Sequence, residues 1–264
     1  MSGGARFGVL LGVAYDGTAF NGWAPQKEGR TVSDTLAAAI QKLDPTASLP
    51  RGVSRTDAGV HAAGQLAAFD ASLAIPARGW VLALNQHMPD DAAVRWARAV
   101  PDGFNPRFSA KGKRYRYRVL LDRIRDPLLR DRAWRLGWDI DLGKLAREAS
   151  TVVGTHDFAA FRSSHDPRND TVRTVTRCEI EREVGGRLVG IVIEGNAFLY
   201  NMVRIVAGTL MDVARGHLDE GTIAAALASG ERGDAGITAP AHGLTLEHVF
   251  LDMPEGAGEP WPLG

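Results

Sequence analysis

Cysteine is almost missing from this chain: Cys178 is the one example among 264 residues. A single thiol closes no internal disulfide and builds no zinc knuckle, so the sequence predicts a reduced, cytoplasmic protein in which Cys178 is an ordinary strand residue. No run approaches the roughly 18 apolar residues that a membrane span requires. Residues 1–6 lack the basic start and apolar core of a signal peptide. Secretion, membrane insertion and a membrane partner are all unexpected. His156 and His165 lack the close spacing of a zinc helix, so no metal is expected. Net charge is also absent, with 31 basic residues against 31 acidic ones, which argues against a generic nucleic-acid binder until the charge is followed along the chain.

The charge is present but polarised. Residues 101–135 hold eleven Lys or Arg against four Asp, whereas residues 219–264 hold eight acids against Arg232 alone. Phosphate contacts need local positive potential, not a positive total. Lys111, Lys113 and Arg116 therefore read either as part of an RNA-facing stripe or as a solvated charged face. With 45% hydrophobic and 23% charged residues, the composition is that of a soluble globular protein with a sizeable core, in one large domain or two small ones.

Apolar periodicity suggests the element order. Residues 7–15 read as a strand and 31–43 as a helix opened by a capping box, Thr31 to Asp34. Strand-like runs at 47–53 and 65–69 follow, then a helix over 76–88 and a strand over 92–99, giving β-α-β-β-α-β. The second part repeats the scheme: a strand at 114–121, a helix at 142–153, strands at 172–182 and 188–194, a long helix at 199–217 and a last strand at 244–251. The expected class is α+β. Two RRM- or ferredoxin-like halves, 1–104 and 105–264, would form one continuous, mostly antiparallel sheet with helices on one face. No Rossmann or P-loop signature is present.

The segment Ser54-Arg55-Thr56-Asp57-Ala58-Gly59-Val60-His61 sets a carboxylate in a turn between two apolar runs. Small residues let a ligand approach the backbone there, and the flanking strands can hold the turn rigid. Asp57 then reads as a nucleophile or a base, or else as a turn residue that bonds its own backbone. Residues 154–174 form a long polar excursion with Arg162 and Arg168, which could grip phosphate. Its aromatics Phe158 and Phe161 read better as anchors to the core than as base-stacking groups.

Arg55-Thr56-Asp57-Ala58-Gly59-Val60-His61, followed by Gln65 and Leu66-Ala67-Ala68-Phe69, resembles the active-site segment of the tRNA pseudouridine synthase A family. Further similarities run in order: Tyr15-Asp16-Gly17 with Gly22-Trp23, Arg30-Thr31-Val32, Arg107-Phe108-Ser109-Ala110, Arg114-Tyr115-Arg116-Tyr117, His156-Asp157-Phe158, Asn196-Ala197-Phe198, Met202-Val203-Arg204 and Gly243-Leu244. The resemblance implies the pseudouridine synthase fold and a cofactor-free isomerase that converts uridine to pseudouridine at tRNA positions 38, 39 and 40. It implies a homodimer, and a target base flipped out of its stack. Asp57 would be the catalytic group, and Arg55 a partner for the carboxylate or a flanking phosphate. Tyr115 would stack on the uracil, Arg204 would pair with the aspartate, and Leu244 would floor the pocket. The chain departs from the family pattern at Ser54, where glycine is common, and at Ala24 and Ser33, where glutamine is usual. Two other readings are a non-catalytic RRM-like RNA-binding protein and a hydrolase in which Asp16 or His61 assists Asp57.

Overall fold

The computed structural model describes residues 6–137 and 140–262. Residues 1–5, which make up most of the segment read above for a signal peptide, lie outside the described residues. In chain order the elements are β1 (Phe7–Tyr15), α1 (Val32–Leu43), β2 (Arg51–Gly52), β3 (His61–Ala71), α2 (Ala77–Asn85), β4 (Ala92–Val100), α3 (Pro106–Ser109), β5 (Ala110–Leu121), β6 (Trp134–Leu136), α4 (Leu142–Thr151), β7 (Gly154–Asp157), β8 (Val172–Glu183), β9 (Leu188–Gly195), α5 (Met202–Ala214), α6 (Thr222–Ser229) and β10 (Leu244–Leu251). The class is α+β with a large, mostly antiparallel sheet, as the sequence predicts. No helix among the described residues is long and apolar enough to cross a membrane.

The chain forms two compact units. The first runs to Lys111 and also takes in the segment from Leu246 onward; the second is Gly112–Thr245. Unlike a linear cut at 104/105, this division groups the returning C-terminal segment with the first unit, where β10 lies beside β3.

In the first unit β4, β1 and β3 pair antiparallel in that order, and β2 adds to β3. Leu10, Leu11 and Val13 of β1 are wholly buried, as befits a central strand. Phe69 meets Trp80 of α2 edge-on, with ring centres 5.1 Å apart. Thr31 caps α1 by accepting the Asp34 amide, the first half of the expected capping box, while the Asp34 carboxylate accepts the Thr31 hydroxyl at 2.5 Å in place of the backbone amide that completes such a box. The strand expected over 47–53 shrinks to Arg51–Gly52. Pro50 supplies no amide to a ladder, and Ser48 spends its own groups on Asp70. β3 is correspondingly longer than expected and begins at His61, directly after the Asp57 turn.

In the second unit β5, β9, β8 and β7 pair antiparallel in that order, and the short β6 joins β5 in parallel. The order β5-β9-β8 repeats β1-β3-β2 of the first unit, so the two-fold scheme read from element order is present in each unit taken by itself. α5 is buried along nearly its whole length, Arg204 being its half-buried exception. It starts at Met202, later than periodicity suggests, because Asn201 adopts the left-handed conformation with φ 61°. That region excludes helix propagation but is open to asparagine. Periodicity also missed β7, in the segment read as a loop. Cys178 sits on β8 opposite Ile193, and burial pushes its thiol up to about 12, so it is a packed strand residue as expected.

Candidate active site

Asp57 is half-buried on the turn that leads into β3. Its carbonyl accepts the Val60 amide at 3.1 Å, and Gly59 completes the turn with φ 78°. Several contacts within the first unit fix the turn. On one flank, buried Gln65 uses both ends of its amide: Nε2 donates to the Ser54 carbonyl at 2.7 Å, and Oε1 accepts the Ser54 amide at 3.2 Å. Ser54 itself has no positive φ, so a glycine is not required there. Above the turn, the Tyr15 hydroxyl and Thr56 Oγ1 share a buried hydrogen bond of 2.7 Å. Across it, the Trp23 amide donates to the Thr56 carbonyl at 3.1 Å. Gly22 is so close that a Cβ there would lie 2.4 Å from the Thr56 oxygen, and its φ of 90° is itself a glycine conformation. Arg55 is exposed and makes no hydrogen bond or ion pair among the described residues.

The hydrolase reading required Asp16 or His61 as an assistant. His61 is buried, and its Nδ1 accepts the Gly17 amide at 3.0 Å, with Asp16 Oδ1 3.2 Å away. Asp16 Oδ1 is itself bound to the Thr18 amide and hydroxyl. Asp16 and His61, which no sequence spacing pairs, thus come together, and these bonds brace the bend after β1.

In the second unit Tyr115 and Tyr117 share one face of β5, and both are buried. Tyr115 packs edge-on against Phe198, with ring centres 5.3 Å apart. Tyr117 donates its hydroxyl to the Pro240 carbonyl at 2.9 Å, and burial raises its pKa far above the ordinary phenol value. Arg204 donates from Nε to the Ala239 carbonyl at 2.8 Å and from Nη1 to Asn201 Oδ1 at 3.0 Å. The Ala239 amide returns a bond to the Arg204 carbonyl at 3.1 Å. The segment before β10 is thus held by Arg204 at one residue and Tyr117 at the next. Leu244, buried at the start of β10, is placed by that hold.

The basic strand is charge-balanced by its neighbours. Arg114 binds Glu194 at 2.7 Å, Arg116 binds Glu181 at 2.7 Å and Glu183 at 2.9 Å, and Arg118 binds Glu183 at 3.0 Å. Glu181 is held below its usual range, first by the Arg116 hydrogen bond. Lys111 is exposed and lies 3.1 Å from Asp252 in the first unit. Lys113 is half-buried on β5. In the 154–174 excursion Phe158 and Phe161 are fully buried, which fits the anchor reading. Arg168 grips buried Asp166 through Nη2 at 2.6 Å and Nε at 2.8 Å, and Arg162 donates to the Arg168 carbonyl.

A family model described as tRNA pseudouridine synthase matches residues 12–109 and 149–252, a span that includes the Asp57 turn, α5 and all of β10. The chain belongs to the tRNA pseudouridine synthase family. Among curated relatives named tRNA pseudouridine synthase A, that of Acetivibrio thermocellus is 43% identical over 242 residues, covering 92% of this chain and 98% of its own. Those of Bacillus licheniformis and Bacillus subtilis are 44% and 40% identical, each covering 91% of this chain and 97% of its own.

Motif matching within the family gave Asp57 but not the residues that fix it. Tyr15, Gly22 and Gln65 belong to the family motifs, but the motifs assign them no role. Their contacts join positions up to 41 residues apart, which no local pattern reports. A weak signal existed for Gln65: a polar side chain inside an apolar strand must find a buried partner.

Proposed function

We propose that this chain isomerises uridine to pseudouridine in tRNA, at positions 38, 39 and 40 of the anticodon arm, with Asp57 as the catalytic group. The observation that carries the reading is the placement of Asp57: one half-buried carboxylate on a turn held by Gln65, Tyr15 and Gly22. In the reaction the N1 glycosidic bond breaks, the uracil turns and a C5 glycosidic bond forms. A proton leaves C5 and one is gained at N1, so neither redox partner nor energy input is required. The ionised carboxylate serves as nucleophile or as base, and rigid support keeps its geometry productive. Exposed Arg55 engages a phosphate beside the flipped nucleotide. Tyr115 stacks on the uracil, Leu244 floors the pocket, and Arg204 holds the catalytic carboxylate ionised.

Lys111, Lys113, Arg116, Arg162 and Arg168 contact the tRNA backbone in this reading. Recognition of backbone shape, not base sequence, would let one enzyme reach three adjacent positions. The enzyme works in the cytoplasm as a homodimer without cofactor or metal. Incubation of purified protein with unmodified tRNA carrying uridine at 38, 39 or 40, read by chemical adduct mapping, is the test. Pseudouridine there that is lost in Asp57→Asn supports the reading. Tight tRNA binding without product would favour the RRM-like binding protein.

A further inference from the structure

Phe108 is the most exposed aromatic residue among the described large apolar side chains, with 84% of its surface open. It belongs to Arg107-Phe108-Ser109-Ala110, a motif that the reaction as described leaves without a role. An aromatic ring left in water on a loose loop would need no explanation. This one is on a built platform. Buried Pro106 opens α3, and Asn105 caps it by accepting the Arg107 amide at 3.1 Å. The Ser109 carbonyl accepts the Asp252 amide at 3.2 Å. At the other end the Gly103 amide donates to Asp70 at 2.9 Å. Arg51 grips Asp70 through two bonds of 2.7 and 3.0 Å and donates to the Phe104 carbonyl from both Nη2, at 3.0 Å, and Nε. Arg51 lies on β2, the strand that leads into the Asp57 turn. A partly buried ion pair thus fastens the Phe108 segment to the scaffold of the catalytic carboxylate.

The ring is flanked by exposed cations, Arg107 beside it and Lys111 three residues on. We propose that Phe108 is a substrate-contacting residue that stacks on an unpaired base of the tRNA, while Arg107 engages the adjoining phosphate. This rests on the tRNA reading above. A rigid aromatic face next to positive charge suits a polyanion with exposed bases: stacking is tolerant of base identity, and the preorganised ring loses little entropy on contact.

The test measures tRNA affinity across a salt series, pseudouridine formation and sedimentation for the wild type, Phe108→Ala, Phe108→Leu, Phe108→Trp and Arg107→Ala. Stacking predicts that Ala and Leu weaken affinity about tenfold with the salt slope unchanged, while Trp retains it. Arg107→Ala should lower the salt slope by about one. Thermal midpoints should not move, since the ring is exposed. Wild-type affinity in Phe108→Ala, with the parent enzyme binding and modifying tRNA, overturns the stacking role and leaves the site reading intact. Full affinity in Phe108→Leu overturns it in favour of a plain apolar contact, and a changed oligomeric state in Phe108→Ala in favour of a protein interface. A parent enzyme that neither binds nor modifies tRNA removes both.

Discussion

Gln65 binds both backbone groups of Ser54, accepting its amide and donating to its carbonyl, from a position with no solvent exposure. One side chain thus sets the spacing between the strand that enters the Asp57 turn and the strand that leaves it. Gln65→Leu keeps roughly the side-chain size but removes both bonds to Ser54, at a cost of about 0.5–1.5 kcal/mol for each hydrogen bond lost. Urea denaturation should record the lower midpoint. Turnover should fall while tRNA affinity changes little, because Gln65 is buried and its replacement leaves every exposed cation in place.

Gly22→Ala meets two obstacles, a positive φ and the Thr56 carbonyl. The backbone next to Asp57 must shift, and reactions that depend on positioning lose rate steeply with such shifts. We expect a turnover loss greater than tenfold and a stability loss of about 1–3 kcal/mol. Single-turnover kinetics with saturating enzyme would record the first, calorimetry the second. A fully active Gly22→Ala protein would disprove the rigid-turn account.

Asp166 should shape the acid limb of stability. The Arg168 guanidinium, with the Tyr200 and Arg168 amides, holds its carboxyl well below the usual carboxylate range. Its folded value is depressed, so its stabilising contribution is complete above the ordinary aspartate value and is lost as pH falls below it toward the folded value. Asp166→Asn should therefore lower the melting temperature at neutral pH and lessen its decline below about pH 4. Melting curves from pH 7 to pH 3 for both proteins give the comparison.

The cationic side chains separate by their partners. Arg116 is mostly buried and bound to two glutamates, so Arg116→Ala should cost stability as well as tRNA affinity. Lys111 is exposed beside an exposed aspartate, and Lys111→Ala should leave the melting temperature unchanged. Its effect should appear as a smaller salt slope of tRNA binding. Melting curves and filter binding at four salt concentrations measure both.

Tyr115→Phe retains the ring and its packing on Phe198 while removing the hydroxyl. If Tyr115 only stacks, the variant should match the parent in affinity and rate. A rate loss with affinity intact assigns the hydroxyl to proton transfer at C5. Quench-flow measurement of tritium release from C5-labelled tRNA reads that step.

The sequence by itself determined the elements with strong periodicity and the contiguous turn segment that carries Asp57. The bounds of β1 and β10 were legible to the residue, and the Thr31 cap of α1 was written in the order of its side chains, because such patterns depend on neighbours a few positions apart. Asp57 was legible for a similar reason: the turn that carries it is a contiguous segment. The tertiary structure decided what long-range contacts decide. It reduced the run before Asp57 to two paired residues, returned β10 from Leu246 onward to the first unit, and set Arg114, Arg116 and Arg118 against glutamates of β8 and β9. It also joined Tyr15 to Thr56, Gly22 to the Asp57 turn and Gln65 to Ser54. Each of these is a contact of short range in space between residues far apart in the chain, and only folding brings such groups within the few ångströms over which hydrogen bonds and steric exclusion act.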